Sequence, residues 1–180
     1  MRIIGGKYKS RTIPFNKKIK ARPTTDSAKE ALFNILENRI SLDKIKVLDL
    51  FSGTGNIAYE FISRGAFSVN CIDQQINAIK FINLQANKWE MNIKPYKANV
   101  YSFLEKKLTT FDIIFADPPY DDKKTREIPE IIFKKKLLNK DGWLILEHGK
   151  NIDFHDCDNF EEQRTYSSVN FSFFKNQNDE

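Results

Sequence analysis

The sequence predicts an α/β fold: a mostly parallel sheet covered by helices on both faces and ending in an antiparallel strand pair. Three observations predict it. Apolar runs of strand length alternate with segments of helical periodicity through most of the chain. One of them, Phe111-Asp112-Ile113-Ile114-Phe115-Ala116, is apolar almost throughout, as strands buried on both faces of a parallel sheet are. Near the end, residues 163–167 and 169–174 are two strand-like runs with little between them, which reads as an antiparallel hairpin at the sheet edge.

In chain order, residues 2–4 and 11–13 are short β-prone runs around Gly5-Gly6, expected to form a hairpin or extended arm. A helix is expected over 25–39, where Ala28, Ala31, Leu32, Ile35 and Leu36 share one face and a preceding Thr or Asp supplies the cap. Strands follow at 46–50, 68–72 (ending at Asp73), 93–98, 111–116 and 142–147. Helices are expected at 57–63, 75–89 and 126–138, and residues 176–180 are expected to fray. This divides the chain into a basic arm, 1–24, and an α/β domain, 25–180, the part that carries the motifs below.

The chain has 180 residues, of which 41% are hydrophobic, enough for one domain with a real core. No apolar run reaches membrane-spanning length, and the start does not resemble a secretory leader, so a cytoplasmic location is expected. Cys71 and Cys157 match no metal spacing and are expected as reduced thiols. The net charge of +5 is unevenly spread. Arg2, Lys7, Lys9, Arg11, Lys17, Lys18, Lys20 and Arg22 lie before residue 25 with no acid among them, and the remainder is slightly acidic. A polyanionic partner for the arm is the reading this supports.

Two motifs carry chemistry. Asp49-Leu50-Phe51-Ser52-Gly53-Thr54-Gly55-Asn56 falls between a strand and a helix, at the carboxyl edge of the sheet where such folds bind ligands. Gly53 and Gly55 allow a tight turn and close backbone approach. No Gly-Lys-Ser/Thr follows, so this is not a phosphate-binding P-loop. An acid ahead of the turn, Asp49, would repel a pyrophosphate but suits a ligand bearing an ammonium and a sulfonium. Asp73, about twenty residues further on, is placed to accept from both hydroxyls of a ribose. The pair fits S-adenosylmethionine better than a nicotinamide dinucleotide.

The second motif, Asp117-Pro118-Pro119-Tyr120, directly follows the most apolar strand. Two prolines fix φ, remove two donors and prevent the sheet from continuing. The Asp117 carboxylate and the carbonyls of Asp117 and Pro118 are then acceptors at the sheet edge. Methylating the exocyclic amine of a base needs acceptors that hold both N–H groups and aim the nitrogen lone pair at the methyl donor; no metal is required. Tyr120 would stack on an unpaired or flipped base.

The start Met1-Arg2-Ile3-Ile4-Gly5-Gly6-Lys7-Tyr8, then Arg22-Pro23-Thr24 with the following Lys29-Glu30-Ala31-Leu32-Phe33-Asn34-Ile35-Leu36, the Val47 to Gly55 segment and Asp117-Pro118-Pro119-Tyr120 together resemble the bacterial RsmD-type 16S ribosomal RNA guanine-N2 methyltransferases. The resemblance covers nearly the whole chain. It implies a Rossmann-like class I methyltransferase fold and transfer of a methyl group from S-adenosylmethionine to the N2 amine of a guanine in 16S rRNA of the small subunit or its assembly intermediate. By position, Asp49, Ser52, Gly53 and Gly55 would line the methionine side of the cofactor and Asp73 its ribose. Asp117 and Tyr120 would serve the base, with the Pro118 carbonyl. Two departures are the shorter acid at Asp73, where Glu is more usual, and Asn99, where an Asp accepting from the adenine amine is more usual. Asn99 can still accept through its amide oxygen, and equally reads as a plain strand-to-helix cap. Lys7, Lys9, Arg11, Lys17, Lys18, Lys20 and Arg22 would neutralise rRNA phosphates.

Trp89, Trp143 and the phenylalanines are expected in packing, and His148 and His155 have no expected catalytic role. The motif alone also admits adenine-N6 or cytosine-N4 methylation, a small-molecule methyltransferase, or a non-catalytic RNA-binding assembly factor. Nothing calls for more than a monomer.

Overall fold

The structure is a computed structural model that describes residues 1–20, 24–106, 109–166 and 168–177. Arg22 and Pro23 of the motif above, Ser167 of the expected hairpin and residues 178–180 lie outside these. Strands β1 (Lys46–Leu50), β2 (Ser68–Asp73), β3 (Ile93–Lys97), β4 (Phe111–Ala116), β5 (Leu138–His148), β6 (Phe160–Tyr166) and β7 (Val169–Lys175) form one seven-stranded sheet. Its order is β3-β2-β1-β4-β5-β7-β6. The first five pair in parallel; β7 runs antiparallel to β5 and to β6. Strand order therefore reverses between β1 and β4, which opens a crevice at their carboxyl ends.

The period-two alternation of each strand sorts side chains to two cores. Val47, Val69, Ile113, Ile145 and Phe173 face one side, with α1 (Asp26–Glu37), α2 (Asn56–Ser63) and α3 (Ile76–Lys88). Leu48, Ile114, Leu144 and Phe174 face the other, with α4 (Val100–Leu104) and α5 (Glu127–Lys134). Thr25 caps α1, its hydroxyl accepting from the Ala28 N–H at 3.2 Å.

The fourth strand matches its expected bounds. So does the first, most other ends move by one or two residues, α4 is an addition, and the larger differences are in α5, β5 and β6. The helix expected over 126–138 stops at Lys134, where the chain turns through a left-handed Lys136. Leu137 and Leu138, apolar enough to continue a helical face, instead lead into β5, which starts four residues earlier than expected. A register irregularity between Phe111 and Ile113, opposite a left-handed Asp141, absorbs the early start. β6 likewise begins at Phe160 rather than 163. Asn176, expected to fray, is tied to β5: its N–H donates to the Gly142 carbonyl at 2.9 Å and its side chain to those of Leu138 and Asn139.

The amino-terminal arm folds back on itself, with an antiparallel bridge between Arg2 and Thr12. It is also part of the core, since Ile3, Tyr8, Ile13 and Ile19 are buried with α1 to α3. Its anchor is charged. Glu60 of α2, fully buried, accepts from the Ile4 and Gly5 N–H groups at 2.9 and 2.8 Å and from Arg64 Nε at 2.9 Å. Lys29 of α1, also fully buried, lies 3.5 Å from the same carboxylate and donates to the Arg2 carbonyl at 2.7 Å. Burial pushes the Lys29 ammonium's pKa down, against Glu60, which pulls it up. Gly6, at φ 73°, lies so close to α2 that a Cβ would sit 1.8 Å from the Ser63 carbonyl oxygen, so no other residue passes there.

Candidate active site

The crevice at the β1–β4 reversal is a cavity of about 580 Å³, within the ordinary size of a small-molecule site. Each bordering strand brings an acid toward its carboxyl end: Asp49 in β1, Asp73 in β2, Asp117 just after β4 and Glu147 in β5. Asp73, Asp117 and Glu147 line the cavity, with Gly53, Asn99, Tyr101, Pro118, Tyr120 and Thr24.

On the β2 side the acids are held by backbone amides. Asp73 Oδ2 accepts from the Gly53 N–H and Oδ1 from the Gln75 N–H, both at 2.8 Å. These bonds draw the glycine turn across the end of β2, and each oxygen keeps further lone pairs for a diol. Ser52 donates its N–H to the Ile72 carbonyl at 3.1 Å and is buried beneath the turn, outside the lining. Gly55, at φ 77°, is also outside the lining. A Cβ there would meet Ile82 and Tyr59 at 3.0 and 3.1 Å, so close packing on α3 explains this glycine. Asp49 is buried outside the lining, with the Cys71 thiol 3.9 Å from its Oδ2. Burial and then the Asp73 charge push its carboxyl pKa well up. Asn99 does two things: it lines the cavity and caps α4, accepting from the Ser102 N–H at 3.2 Å.

On the β4 side, Asp117-Pro118-Pro119-Tyr120 is pinned at both ends. The Asp117 N–H donates to the Leu50 carbonyl at 3.3 Å and the Asp122 N–H to that of Pro119 at 2.9 Å. Asp117 is half-buried, Pro118 buried, and Tyr120 48% exposed at the rim, its ring lying over Gly149. Tyr101 donates its hydroxyl to Asp122 at 2.9 Å, and burial followed by that bond pushes the phenol's pKa up.

Sequence reasoning missed Thr24, Lys20 and Glu147 as lining residues. Lys20 reaches the wall because Gln75 bonds its backbone on both sides, at 2.8 and 3.0 Å. The signal for Glu147 was present: it ends an apolar strand with an acid, as Asp73 and Asp117 do. Among the arm residues, Lys7, Lys9, Arg11, Lys17, Lys18 and Lys20 are all exposed. Phe15 departs from the packing expected of phenylalanines, being 80% exposed, whereas Trp89 and Trp143 are buried. His148 is buried in β5, its Nδ1 donating to the Gly149 carbonyl and its Nε2 accepting from the Ser172 hydroxyl, both at 2.8 Å.

Sheet order, switch-point cavity and the Asp-Pro-Pro-Tyr edge together define a Rossmann-like class I methyltransferase architecture. The family described as Conserved hypothetical protein 95 matches residues 1–175. The ribosomal RNA small subunit methyltransferase D of Buchnera aphidicola (subsp. Baizongia pistaciae) is 33% identical over 154 residues, covering 85% of this chain and 78% of its own. Among solved structures, a candidate methyltransferase from Escherichia coli, yhhF, superposes with a TM-score of 0.86 at 25% identity, covering 97% of each chain. An RNA methyltransferase from Salinibacter ruber in complex with S-adenosyl-L-homocysteine shares the fold at a TM-score of 0.68 and 11% identity, covering 86% of this chain and 93% of its own. The chain belongs to the Conserved hypothetical protein 95 family, that of the RsmD-type methyltransferases.

Proposed function

We propose that the protein transfers the methyl group of S-adenosylmethionine to the exocyclic N2 amine of a guanine in 16S rRNA, acting as a cytoplasmic monomer on the small subunit or its assembly intermediate. The observation that carries this reading is one cavity shared by the Gly53–Asp73 turn on one side and Asp117, Pro118 and Tyr120 on the other. The turn fits the donor: Gly53 presents no Cβ, and Asp73 is already oriented by two amides to accept from a ribose. When bound there, S-adenosylmethionine supplies an electrophilic methyl group on a sulfonium centre.

The chain's own residues then do the positioning. Asp117 and the Pro118 carbonyl accept the two N–H groups of the base amine, which turns its lone pair toward the methyl group. Tyr120 stacks on the base from the rim and holds it out of its helix. Lys7, Lys9, Arg11, Lys17, Lys18 and Lys20 bind phosphates, and the exposed Phe15 on the same arm offers a second stacking face. Asp49, Ser52 and Gly55 act from beneath, by shaping the turn.

The test is incubation with labelled S-adenosylmethionine and naked rRNA, small subunits or DNA, followed by nucleoside analysis. N2-methylguanine in 16S rRNA is expected. N6-methyladenine, or label in DNA alone, would overturn the assignment, and tight RNA binding without transfer would favour an assembly factor. Replacing Lys17, Lys18 and Lys20 with Ala should lower the slope of log affinity against log salt by roughly 0.7–0.9 for each phosphate no longer neutralised, with little change in sequence preference.

A further inference from the structure

We infer that Glu147 selects the base, by accepting the N1–H of guanine beside the amine held at Asp117. The inference rests on the guanine-N2 reading above and supplies the residue that separates guanine from the other amine-bearing bases.

Placement comes from the sheet. Ala116, the last residue of β4, pairs in register with Leu146 of β5, so the chain leaves β4 at Asp117 beside Glu147. At that last pair the two backbones are about 4.8 Å apart by ordinary strand spacing. Alternation puts Leu146 in the α4–α5 core and Glu147 on the opposite side, where it lines the cavity while only 3% exposed.

Its direction is set by a chain of bonds reaching back to the arm. Lys29 Nζ donates to Asn56 Oδ1 at 2.7 Å. An ammonium can only donate, so the Asn56 amide is oriented with Nδ2 toward the Thr24 carbonyl, at 3.2 Å. The Thr24 hydroxyl in turn donates to Glu147 Oε2 at 2.8 Å. The Thr24 hydroxyl is one partner of a carboxylate that offers about four acceptor positions.

Two neighbouring acceptors call for a base edge with two neighbouring donors. Guanine has it: N1–H lies next to the N2 amine. In adenine the ring nitrogen beside the N6 amine is an acceptor, as is the one beside the N4 amine of cytosine. Either would set a lone pair against a buried carboxylate, an encounter that costs both a hydrogen bond and desolvation. Asp117 and the prolines serve any amine; Glu147 reads what stands next to it.

The test uses the full chain and whichever rRNA or particle accepts label, with guanine or 2-aminopurine at the methylated position. 2-Aminopurine keeps the N2 amine but presents N1 as an acceptor. The wild type should favour guanine in kcat/KM by about 100-fold, the size expected for a hydrogen bond to a charged group. Glu147→Gln can turn its amide N–H toward an acceptor while its oxygen still accepts from Thr24. It should lose guanine activity and bring the ratio to about one or below. Loss of the guanine O6 is common to both enzymes and cancels in that comparison. A wild-type ratio near one overturns the inference even if the variant fails to fold. So does an unchanged ratio in a variant with normal melting and S-adenosylhomocysteine affinity. Absence of any label in N2-methylguanine would instead overturn the underlying reading.

Discussion

The two sides of the cavity are built by different means. On the β1–β2 side, the acid that lines the cavity is fixed by backbone amides close to hand: Asp73 by Gly53 and Gln75. On the β4–β5 side, Glu147 is fixed by a relay of side chains that ends at the arm. The donor half of the site is thus local and self-contained, while the base half depends on the segment proposed to hold RNA. A methyltransferase gains from that division, since the arm then shapes the pocket its own substrate enters.

The largest effect should come from Asp117→Ala. If the two halves are separable, transfer falls by roughly 10²- to 10³-fold, the scale of losing an oriented group in a transition state. Affinity for S-adenosylhomocysteine, measured by calorimetry, should stay within about twofold. A parallel loss of that affinity would mean that Asp117 serves the donor half.

Glu60→Ala attacks the link between the arm and the domain. It strands the fully buried Lys29 ammonium and leaves the Ile4 and Gly5 amides without their acceptor. Breaking one partner of a buried pair costs about 3–5 kcal/mol. For a chain of this length that is a fall in melting temperature of roughly 6–20 °C. A fall of only about 2 °C would show that the hub contributes no more than an exposed pair.

These two sites also show what a sequence discloses. The acids ending apolar strands were legible because strand, turn and acid are contiguous, and Asp73 and Asp117 stand in the wall for that reason. Glu147 carries the same signature but lies inside β5, which continues through His148, two residues ahead of Gly149. Lys29 and Glu60 were not legible as a pair. Each carries a charge that reads as solvent-facing, although Lys29 stands at helical spacing from Leu32, Phe33 and Leu36; in the fold the arm's Arg2 carbonyl takes Lys29 and its Ile4 and Gly5 amides take Glu60. Leu137 and Leu138 failed for another reason: a short apolar run fits a helix end and a strand start equally well.

Asp73→Ala tests the donor half directly, with a smaller expected effect. Losing the acceptor for two backbone amides and a proposed ribose partner should weaken S-adenosylhomocysteine binding about 10- to 100-fold. Transfer at saturating donor should change less than about threefold. If saturating donor fails to restore the rate, Asp73 acts on the chemistry and the division of labour is wrong.

The smallest effect is also the one in which the two halves oppose each other. His148, on the base side, has its pKa pushed below the ordinary 6.5 by burial, partly offset by its bond to Gly149. As pH falls from 6.5 toward the folded-state value, the unfolded chain takes up a proton that the folded one refuses, so stability drops. Asp49, on the donor side, has its pKa raised far above the ordinary 3.8. Between 3.8 and the raised value the folded chain holds a proton that the unfolded one has lost, so there acidification adds stability. Denaturant titrations at stepped pH should therefore give difference curves of opposite slope. His148→Gln removes a loss on acidification from 6.5, and Asp49→Asn removes a gain on acidification toward 3.8. Slopes of the same sign would mean that one of the two groups ionises in the fold as it does in water, and that its half of the site is more open to solvent than its burial indicates.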